Sequence, residues 1–182
     1  MACARLETSR LLLREWQTQD REPFIAMNAD PVVMRYFLAT LTAQETEAMM
    51  DRNRAHFKRH GFGLWAAAIQ ATGEFAGYIG LAVPAFETHF TPCVEIGWRL
   101  APRFWNGGLA TEGAAEVLRF AFETLELSEI VSFTSTLNIA SQRVMQKIGM
   151  QRDPADDFDH PRISAGHPLC RHVLYRARRP IA

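Results

Sequence analysis

The chain has 182 residues, 48% of them apolar, and its 20 Lys and Arg residues balance 20 Asp and Glu residues. This composition excludes collagen-like and disordered proteins and predicts one globular domain over residues 1–182. Zero net charge argues against a nucleic-acid or anionic-membrane binder, because both partners require a basic surface that engages phosphates.

Cysteine spacing and hydropathy indicate the compartment. Cys3, Cys93 and Cys170 form no CxxC pair and fit no zinc-ligand spacing, so we expect free thiols in a reducing environment. The first residues lack the apolar stretch of a signal peptide, and no apolar run approaches the ~18 residues that a membrane span needs. We therefore predict a cytoplasmic protein that binds neither a membrane nor a metal.

The predicted elements alternate between two backbone periods. In chain order they are a strand at 10–16, helices at 20–28 and 42–60, strands at 62–69, 75–83 and 93–100, a helix at 110–125, a strand at 130–135, a helix at 138–148 and a strand at 171–178. Thr42 and Glu45 have capping-box spacing, and Gly61 is a C-cap candidate. Residues 153–169, with three Pro and four Asp, are predicted to form a loop. Hairpin-spaced strands followed by a βαβα order favour a mixed sheet covered by helices.

A cluster of small residues lies between a strand and the most regular helix. Residues 105–112 read Trp-Asn-Gly-Gly-Leu-Ala-Thr-Glu. Glycines let the backbone approach an anion, and a helix start offers unpaired N–H groups at its positive end. We predict a phosphate or pyrophosphate ligand here, with a ligand-free tight turn as the alternative. Neither a P-loop Gly-Lys-Ser/Thr nor GxGxxG is present, which disfavours ATP- and NAD-dependent enzymes.

Four segments in order resemble the GNAT (Gcn5-related N-acetyltransferase) superfamily. They are LETSRLLLRE at 6–15, VEIGW at 94–98, WNGGLATEG at 105–113 and NIASQRVMQKIGM at 138–150. Within the superfamily they are most similar to the branch of RimJ/RimL-like ribosomal-protein N-terminal acetyltransferases. No single motif is decisive, but the four together cover nearly the whole chain.

The resemblance implies an α+β (mixed α/β) fold with a twisted, mostly antiparallel sheet, a central splayed parallel pair and about four flanking helices. Acetyl-CoA is implied to enter the splay. Its pantetheine arm would pair with the backbone of Ile96, Gly97, Trp98, Arg99 and Leu100, and its pyrophosphate would lie on Asn106, Gly107, Gly108, Leu109, Ala110 and Thr111. Asn138 is implied to contact the pantetheine arm. Arg143 either reaches the phosphates or is a solvent-exposed helix charge.

The resemblance also implies direct attack of an amine on the thioester, which needs a base. Glu95 is the candidate base, because a carboxylate beside the acetyl group would be partly buried with a raised pKa. A structural Glu paired with a donor is the alternative. Many relatives carry a Tyr as general acid where this chain has Met145, which cannot donate a proton. Ser141, one turn earlier, is the candidate substitute, with a packing or helix-end hydroxyl as the alternative.

Other polar and aromatic residues favour structural roles. His160, His167 and His172 lie near four aspartates, but their spacing fits no known ligand motif, so loop ordering is favoured over a metal site. The acidic loop is also a candidate for attracting a cationic amine. Phe37, Trp65 and Tyr78 are candidates for an acceptor pocket, with core packing as the default.

The sequence therefore predicts an acetyl-CoA-dependent N-acetyltransferase that needs no metal. The amine acceptor is left open between a protein N-terminus and a small molecule, and a homodimer is one alternative for the assembly. A non-catalytic acyl-CoA-binding or regulatory module on the same fold is the competing prediction, because the general-acid Tyr is missing.

Overall fold

The computed structural model describes residues 4–180, which form one mixed sheet covered by helices. Its strands are β1 (Leu6–Glu7), β2 (Leu11–Arg14), β3 (Leu64–Ile69), β4 (Phe75–Ala82), β5 (Glu95–Leu100), β6 (Glu129–Ser135), β7 (Gln151–Arg152), β8 (Phe158–Asp159) and β9 (Arg171–Arg178). Its helices are α1 (Arg21–Ala29), α2 (Pro31–Met34), α3 (Ala43–His60), α4 (Leu109–Glu123) and α5 (Ile139–Lys147). The strand order is β1-β2-β3-β4-β5-β6-β9-β7, and β8 also pairs with β9.

The central parallel pair is the feature that creates a site. All strand pairs are antiparallel except β5 and β6, whose register contains the single pair Glu95 and Val131. The Val131 N–H donates to the Val94 carbonyl at 2.9 Å, and the Ser132 hydroxyl donates to the Ile96 carbonyl at 2.9 Å. Beyond these contacts β5 stays paired with β4 and β6 with β9, so the two central strands separate. The predicted fold class, with its central parallel pair, is confirmed.

Helices cover both faces of the sheet. The apolar stripe of α4 packs on β4 and β5, where Ala114, Val117 and Ala121 are fully buried. A Cβ atom on Gly113 would lie 2.4 Å from Ile79 Cδ1, so glycine lets the helix approach the sheet here without displacing that side chain. The opposite face carries α1 and α3 over an aromatic cluster made of Trp16, Phe24, Phe75 and Tyr78.

The helix α3 has the ends that the sequence predicts. The Thr42 hydroxyl accepts from the Glu45 N–H at 3.2 Å, and the Glu45 carboxylate accepts from the Thr42 N–H at 2.8 Å. Gly61 ends the helix in the left-handed region, with φ at 77°. These bonds satisfy backbone groups that the helix itself leaves unpaired.

Short elements are where the sequence prediction was wrong. It missed β1, β7, β8 and α2, each of which has two to four residues. Such segments carry no readable period, and neighbouring strands supply the edges on which they pair. The predicted loop 153–169 therefore contains a turn of 3₁₀ helix at Pro154–Asp156 followed by β8.

The predictions of free cysteines and of no membrane span can be compared with the structure over residues 4–180. Cys93 and Cys170 are free thiols, and Cys3 lies outside the described residues. Burial raises the pKa of the Cys93 thiol to about 11, which disfavours the reactive thiolate at neutral pH. Between residues 4 and 180, no helix has both the length and the apolarity to cross a membrane.

Candidate active site

The separation of β5 from β6 opens a cavity of about 970 Å³. It is lined by segment 33–41, by β5, by residues 104–106 and 108–111, and by parts of β6, α5 and the late loop. The cavity brings together every residue that the sequence nominated for catalysis or coenzyme binding, except Gly107. The sequence did not identify segment 33–41 as a wall, because α2 and the irregular chain after it carry no motif.

The start of α4 presents unpaired backbone donors to this cavity. Gly108 is the N-cap, with φ at 80°, and it offers no side chain to cap the helix. The first intrahelical bond runs from the Glu112 N–H to the Gly108 carbonyl at 3.0 Å. The N–H groups of Leu109, Ala110 and Thr111 therefore precede any intrahelical partner and lie at the positive end of the helix dipole. This arrangement suits a phosphate anion.

Gly107 does not line the cavity, and the pyrophosphate contact that the resemblance implies for it stays a prediction. Its carbonyl accepts a hydrogen bond from Arg10 Nη1 at 2.8 Å. Arg10 also binds Glu112, through Nε at 2.6 Å and Nη2 at 2.6 Å. Arg10 thus ties the loop before α4 to the first turn of that helix.

The same glutamate collects further donors from the beginning of the chain. Glu112 accepts hydrogen bonds from the Thr8 hydroxyl at 2.5 Å, the Ser9 hydroxyl at 3.0 Å and the Arg10 N–H at 2.9 Å. Burial alone would raise the pKa of Glu112, but bonds from Thr8, Arg10 and Ser9 outweigh it and lower the pKa to about 2. The Thr-Ser-Arg sequence near the N-terminus is therefore a clamp on the loop before α4 and on the first turn of that helix, a role that sequence reasoning missed.

We expect Glu112→Gln to lower the free energy of unfolding by about 2–3 kcal/mol at pH 7, after allowance for the solvent-exposed Arg10. The folded pKa is depressed, so this stability is present above the ordinary carboxyl value of 4.5 and is lost as pH falls toward 2. Urea unfolding at pH 7 and pH 3.5 should show the difference between wild type and variant shrinking by about 1.4 kcal/mol. The exposed Glu123, paired with Arg119 on the same helix, gives the control Glu123→Gln, with an effect below about 0.5 kcal/mol. A pH-independent loss in Glu112→Gln would contradict the clamp.

Three cations surround the same part of the cavity. Arg35, Arg143 and Lys147 line it, are solvent-exposed, and make no ion pair with any described residue. The sequence nominated only Arg143. Lys147 follows it by one helical turn on α5, a spacing that places both on one face. Arg35 comes from the segment after α2, and no motif marks it.

Glu95 lies at the point where the parallel strands part. Its carboxylate lines the cavity, and the described residues supply it with neither a hydrogen-bond donor nor an ion pair. Burial raises the pKa of Glu95 to about 8. A Cβ atom on Gly97 would meet only Glu95 Oε1, at 4.0 Å, so open space adjoins the carboxylate. The structural alternative, a Glu paired with a donor, is not what the geometry shows.

Ser141 and Asn138 form a small network at the start of α5. Asn138 Oδ1 accepts from the Ser141 N–H at 3.2 Å and caps the helix, as the sequence predicts. Its Nδ2 donates to the Thr134 hydroxyl at 3.0 Å and to the Ser141 hydroxyl at 3.0 Å. Ser141 Oγ therefore accepts one hydrogen bond, and its own proton remains available toward the cavity. Met145 lies one turn further along, buried, and lines the same wall.

The other nominated residues separate into lining and core groups. Tyr78 and Phe37 line the cavity, whereas Trp65 is fully buried in the core. His160 and His172 also line it, with ring centroids 5.0 Å apart. Burial lowers the pKa of both, so they are neutral at pH 7.

Aspartates of the late acidic loop form ion pairs with arginines of the protein. Asp156 binds Arg176 at 2.7 Å, Asp157 binds Arg152, and Asp159 binds Arg171 at 3.2 Å. Carboxylates held in ion pairs attract a cationic amine weakly, which disfavours that role for the loop. Within residues 4–180, no three His, Cys, Asp or Glu side chains lie together as a metal site would require.

Known proteins share this sequence pattern and fold. Residues 10–151 match the family profile described as the Acetyltransferase (GNAT) domain. The chain is 37% identical over 152 residues to the FsC-acetyl coenzyme A-N(2)-transacetylase of Aspergillus fumigatus, a match that covers 80% of this chain. The chain spans 64% of that relative's length.

Solved structures show the same architecture. An acetyltransferase (GNAT family) from Bacillus anthracis superposes with a TM-score of 0.79 at 26% identity, covering 96% of this chain and 98% of the other. The RimL ribosomal L7/L12 alpha-N-protein acetyltransferase in complex with coenzyme A has a TM-score of 0.78, covering 97% and 98%. At 15% identity that second likeness concerns the fold alone.

Proposed function

The chain belongs to the GNAT acetyltransferase family, and we propose that it transfers an acetyl group from acetyl-CoA to a primary amine by direct attack. The observation that carries the proposal is the cavity itself. It joins an anion-binding helix start, at Leu109, Ala110 and Thr111, to a half-buried carboxylate at Glu95. A phosphate-bearing coenzyme and a proton-accepting group are the two requirements of this reaction.

The coenzyme end of the cavity combines backbone donors with side-chain cations. The N–H groups at the start of α4 would bind the pyrophosphate, and Arg35, Arg143 and Lys147 would neutralise the remaining phosphate charge. Ile96 to Leu100 have no β6 partner beyond the Ser132 contact at Ile96, so this edge of β5 is free to pair with the pantetheine amides. Asn138 borders the arm's path from α5.

The reaction needs an unprotonated amine held next to the thioester. Glu95 would take the amine proton as nitrogen bonds to the acetyl carbon, and the carbon–sulfur bond then breaks to release the CoA thiolate. The Ser141 hydroxyl would donate a hydrogen bond to this thiolate, which becomes the thiol by taking up a proton from solvent while Glu95 returns the amine proton to solvent. Holding both reactants in one cavity supplies much of the rate enhancement.

The resemblance in four motifs supports placing the chain with the RimJ/RimL-like branch, in one cytoplasmic domain over residues 1–182. The Aspergillus relative's name specifies acetyl coenzyme A and a nitrogen position, which supports N-acetylation as the chemistry. The homodimer stays a prediction, and light scattering, which measures the mass in solution, would test it.

The test is amine-dependent release of CoA from acetyl-CoA, measured with a thiol reagent across a panel of amines and N-terminal peptides. We expect turnover with at least one class, detected also as an acetylated product by mass spectrometry. Tight acetyl-CoA binding without turnover by any amine would favour the competing acyl-CoA-binding module. Protection against thermal unfolding by ATP or NAD, but not by CoA, would contradict both.

A further inference from the structure

Arg99 is a buried cation without an anionic partner. It lies on β5, two and four residues after Gly97 and Glu95, and side chains at this spacing share one face of a strand. Only 9% of its surface is exposed, and it lines the same cavity as Glu95. Arginine is almost never buried to this degree unless a carboxylate, a phosphate or a set of hydrogen bonds compensates its charge.

The protein compensates only part of this charge. Arg99 Nη1 donates to Asn28 Oδ1 at 2.6 Å, and the Asn28 amide is held in turn by Thr46. The guanidinium carbon lies 4.2 Å from the centroid of Phe37 and 5.3 Å from that of Tyr78. Nε is buried and has no hydrogen-bond partner, and no carboxylate of residues 4–180 lies within 4.0 Å.

One donor of the guanidinium is left for a ligand. Nη1 is taken by Asn28 and Nε is enclosed by protein atoms, so Nη2 is the nitrogen that a ligand in the cavity can reach. A carboxylate oxygen would accept a charge-assisted hydrogen bond from Nη2 and would offset the charge of the guanidinium. The bond to Asn28 and the aromatic contacts hold the guanidinium in place, so little entropy is lost when a ligand binds.

The charged groups around Arg99 leave its charge unpaired. Glu45 lines the cavity but is engaged as the capping partner of Thr42. Arg162 also lines the cavity, and its guanidinium donates to the Ala85 carbonyl. Neither Glu45 nor Glu95 forms an ion pair with Arg99, so the described part of the chain supplies no carboxylate that offsets the buried guanidinium.

We propose that the acceptor carries a carboxylate as well as its amine, and that Nη2 of Arg99 donates a hydrogen bond to that carboxylate. The proposal rests on the proposed acetyl transfer, since it names the class of amine used there. Four residues of strand separate the Cα atoms of Arg99 and Glu95 by about 13 Å, and both side chains shorten this span. The carboxylate and the reacting amine thus occupy separate positions along β5.

Turnover of matched acceptors tests the substrate class. Each ω-amino acid from β-alanine to 6-aminohexanoate is compared with its carboxamide, which keeps the amine and the chain length but lacks the charge. For the best length we expect kcat/KM to favour the carboxylate by about 10- to 100-fold, the usual effect of hydrogen bonds to a charged group. In Arg99→Gln this ratio should fall to about one through a higher KM. Arg99→Lys keeps the charge without the planar guanidinium, so it should retain part of the preference for the carboxylate.

Controls separate loss of the Arg99 guanidinium from loss of the fold. Arg103→Gln removes an exposed arginine near the end of β5, paired with Glu74 and outside the cavity, so its ratio should equal that of wild type. Each variant is checked for thermal unfolding and for CoA affinity. If Arg99→Gln lowers CoA affinity and leaves the ratio unchanged, the guanidinium serves the coenzyme and the inference is overturned.

A binding measurement makes the inference independent of catalysis. Hexanoate and hexanamide, which carry no amine, are titrated by NMR into the protein saturated with CoA. We expect saturable binding of hexanoate at least about 10-fold tighter than that of hexanamide, and its loss in Arg99→Gln. Hexanoate binding without turnover of any amine would uphold the inference and reject the proposed function. Equal weak binding of both probes, or equal turnover of the matched acceptors, would reject the inference while leaving acetyl transfer intact.

Discussion

Gly108→Glu is expected to weaken CoA binding by at least roughly 100-fold while the chain stays folded. Gly108 immediately precedes the N–H groups that would bind the pyrophosphate, and it lines the cavity. A glutamate there places a side chain and a negative charge against an anion. Both effects act on the bound state, so they should lower the affinity for CoA.

Backbone strain is the competing explanation, and the structure offers a control for it. Gly108 has a φ of 80°, and a non-glycine residue in this region costs about 1–2 kcal/mol. A Cβ atom there would lie 3.5 Å from Arg10 Nη2, which is an ordinary contact. Gly73, in the β3–β4 hairpin turn, has a φ of 73°, and a Cβ atom added there would have no heavy atom within 4 Å. Gly73→Glu therefore carries similar strain at a position outside the cavity.

Calorimetric titration with CoA distinguishes the two. Gly73→Glu should lose stability like Gly108→Glu but bind CoA as wild type does. Gly108→Gln, which keeps the size without the charge, should fall between wild type and Gly108→Glu. Wild-type affinity in Gly108→Glu would show that the pyrophosphate lies elsewhere.

Elements defined by local chemistry could be predicted from the sequence. The cap at Thr42, the C-cap at Gly61 and the stripe of α4 depend on residues within one or two helical turns. The last strand, 171–178, has the bounds that alternation predicts. The resemblance in four motifs then supplied the mostly antiparallel mixed sheet and its splayed pair, which no local pattern contains.

Contacts between distant parts of the chain could not be predicted. Arg10 and Glu112 are 102 residues apart, and their contact explains the N-terminal motif that served only as a mark of resemblance. Arg99 and Asn28 are 71 residues apart, so the sequence assigned Arg99 a backbone role alone. Both pairs depend on how the sheet brings helices together, and the information lies in the tertiary structure.

The overall charge balance concealed an uneven distribution. Most arginines of the described chain are paired with carboxylates. Five of the cations without an ion pair line one cavity, namely Arg35, Arg99, Arg143, Lys147 and Arg162, whereas Arg52, Lys58, Arg59 and Arg179 lie outside it. Neutral composition is therefore compatible with a cavity that attracts anions, because the positive potential is local.

Glu95→Gln is expected to lower kcat by about 100-fold, within the range for loss of a general base. The substitution keeps the size of the side chain but removes its ability to accept the amine proton. Glu95 has no hydrogen-bond donor among the described residues, so the amide breaks no native hydrogen bond. CoA affinity and thermal stability should therefore stay close to those of wild type.

The pH profile provides the sharper test of Glu95. Burial raises its pKa to about 8, and the active form is the carboxylate. For wild type, log kcat/KM should rise with pH up to about 8, because the carboxyl group is protonated below that value. In Glu95→Gln this rise should disappear, and only the ionisation of the acceptor amine itself should remain.

A matched carboxylate outside the cavity completes the experiment. Glu87 is exposed in the loop between β4 and β5, and Glu87→Gln should keep both the rate and the profile of wild type. If Glu95→Gln loses activity but log kcat/KM still rises up to about pH 8, that rise reports another ionising group, and Glu95 acts on the shape of the site. If the rate and the pH profile are both unaltered, the amine loses its proton to solvent. The Glu95 carboxylate, at the point where β5 and β6 separate, then has no part in the chemistry.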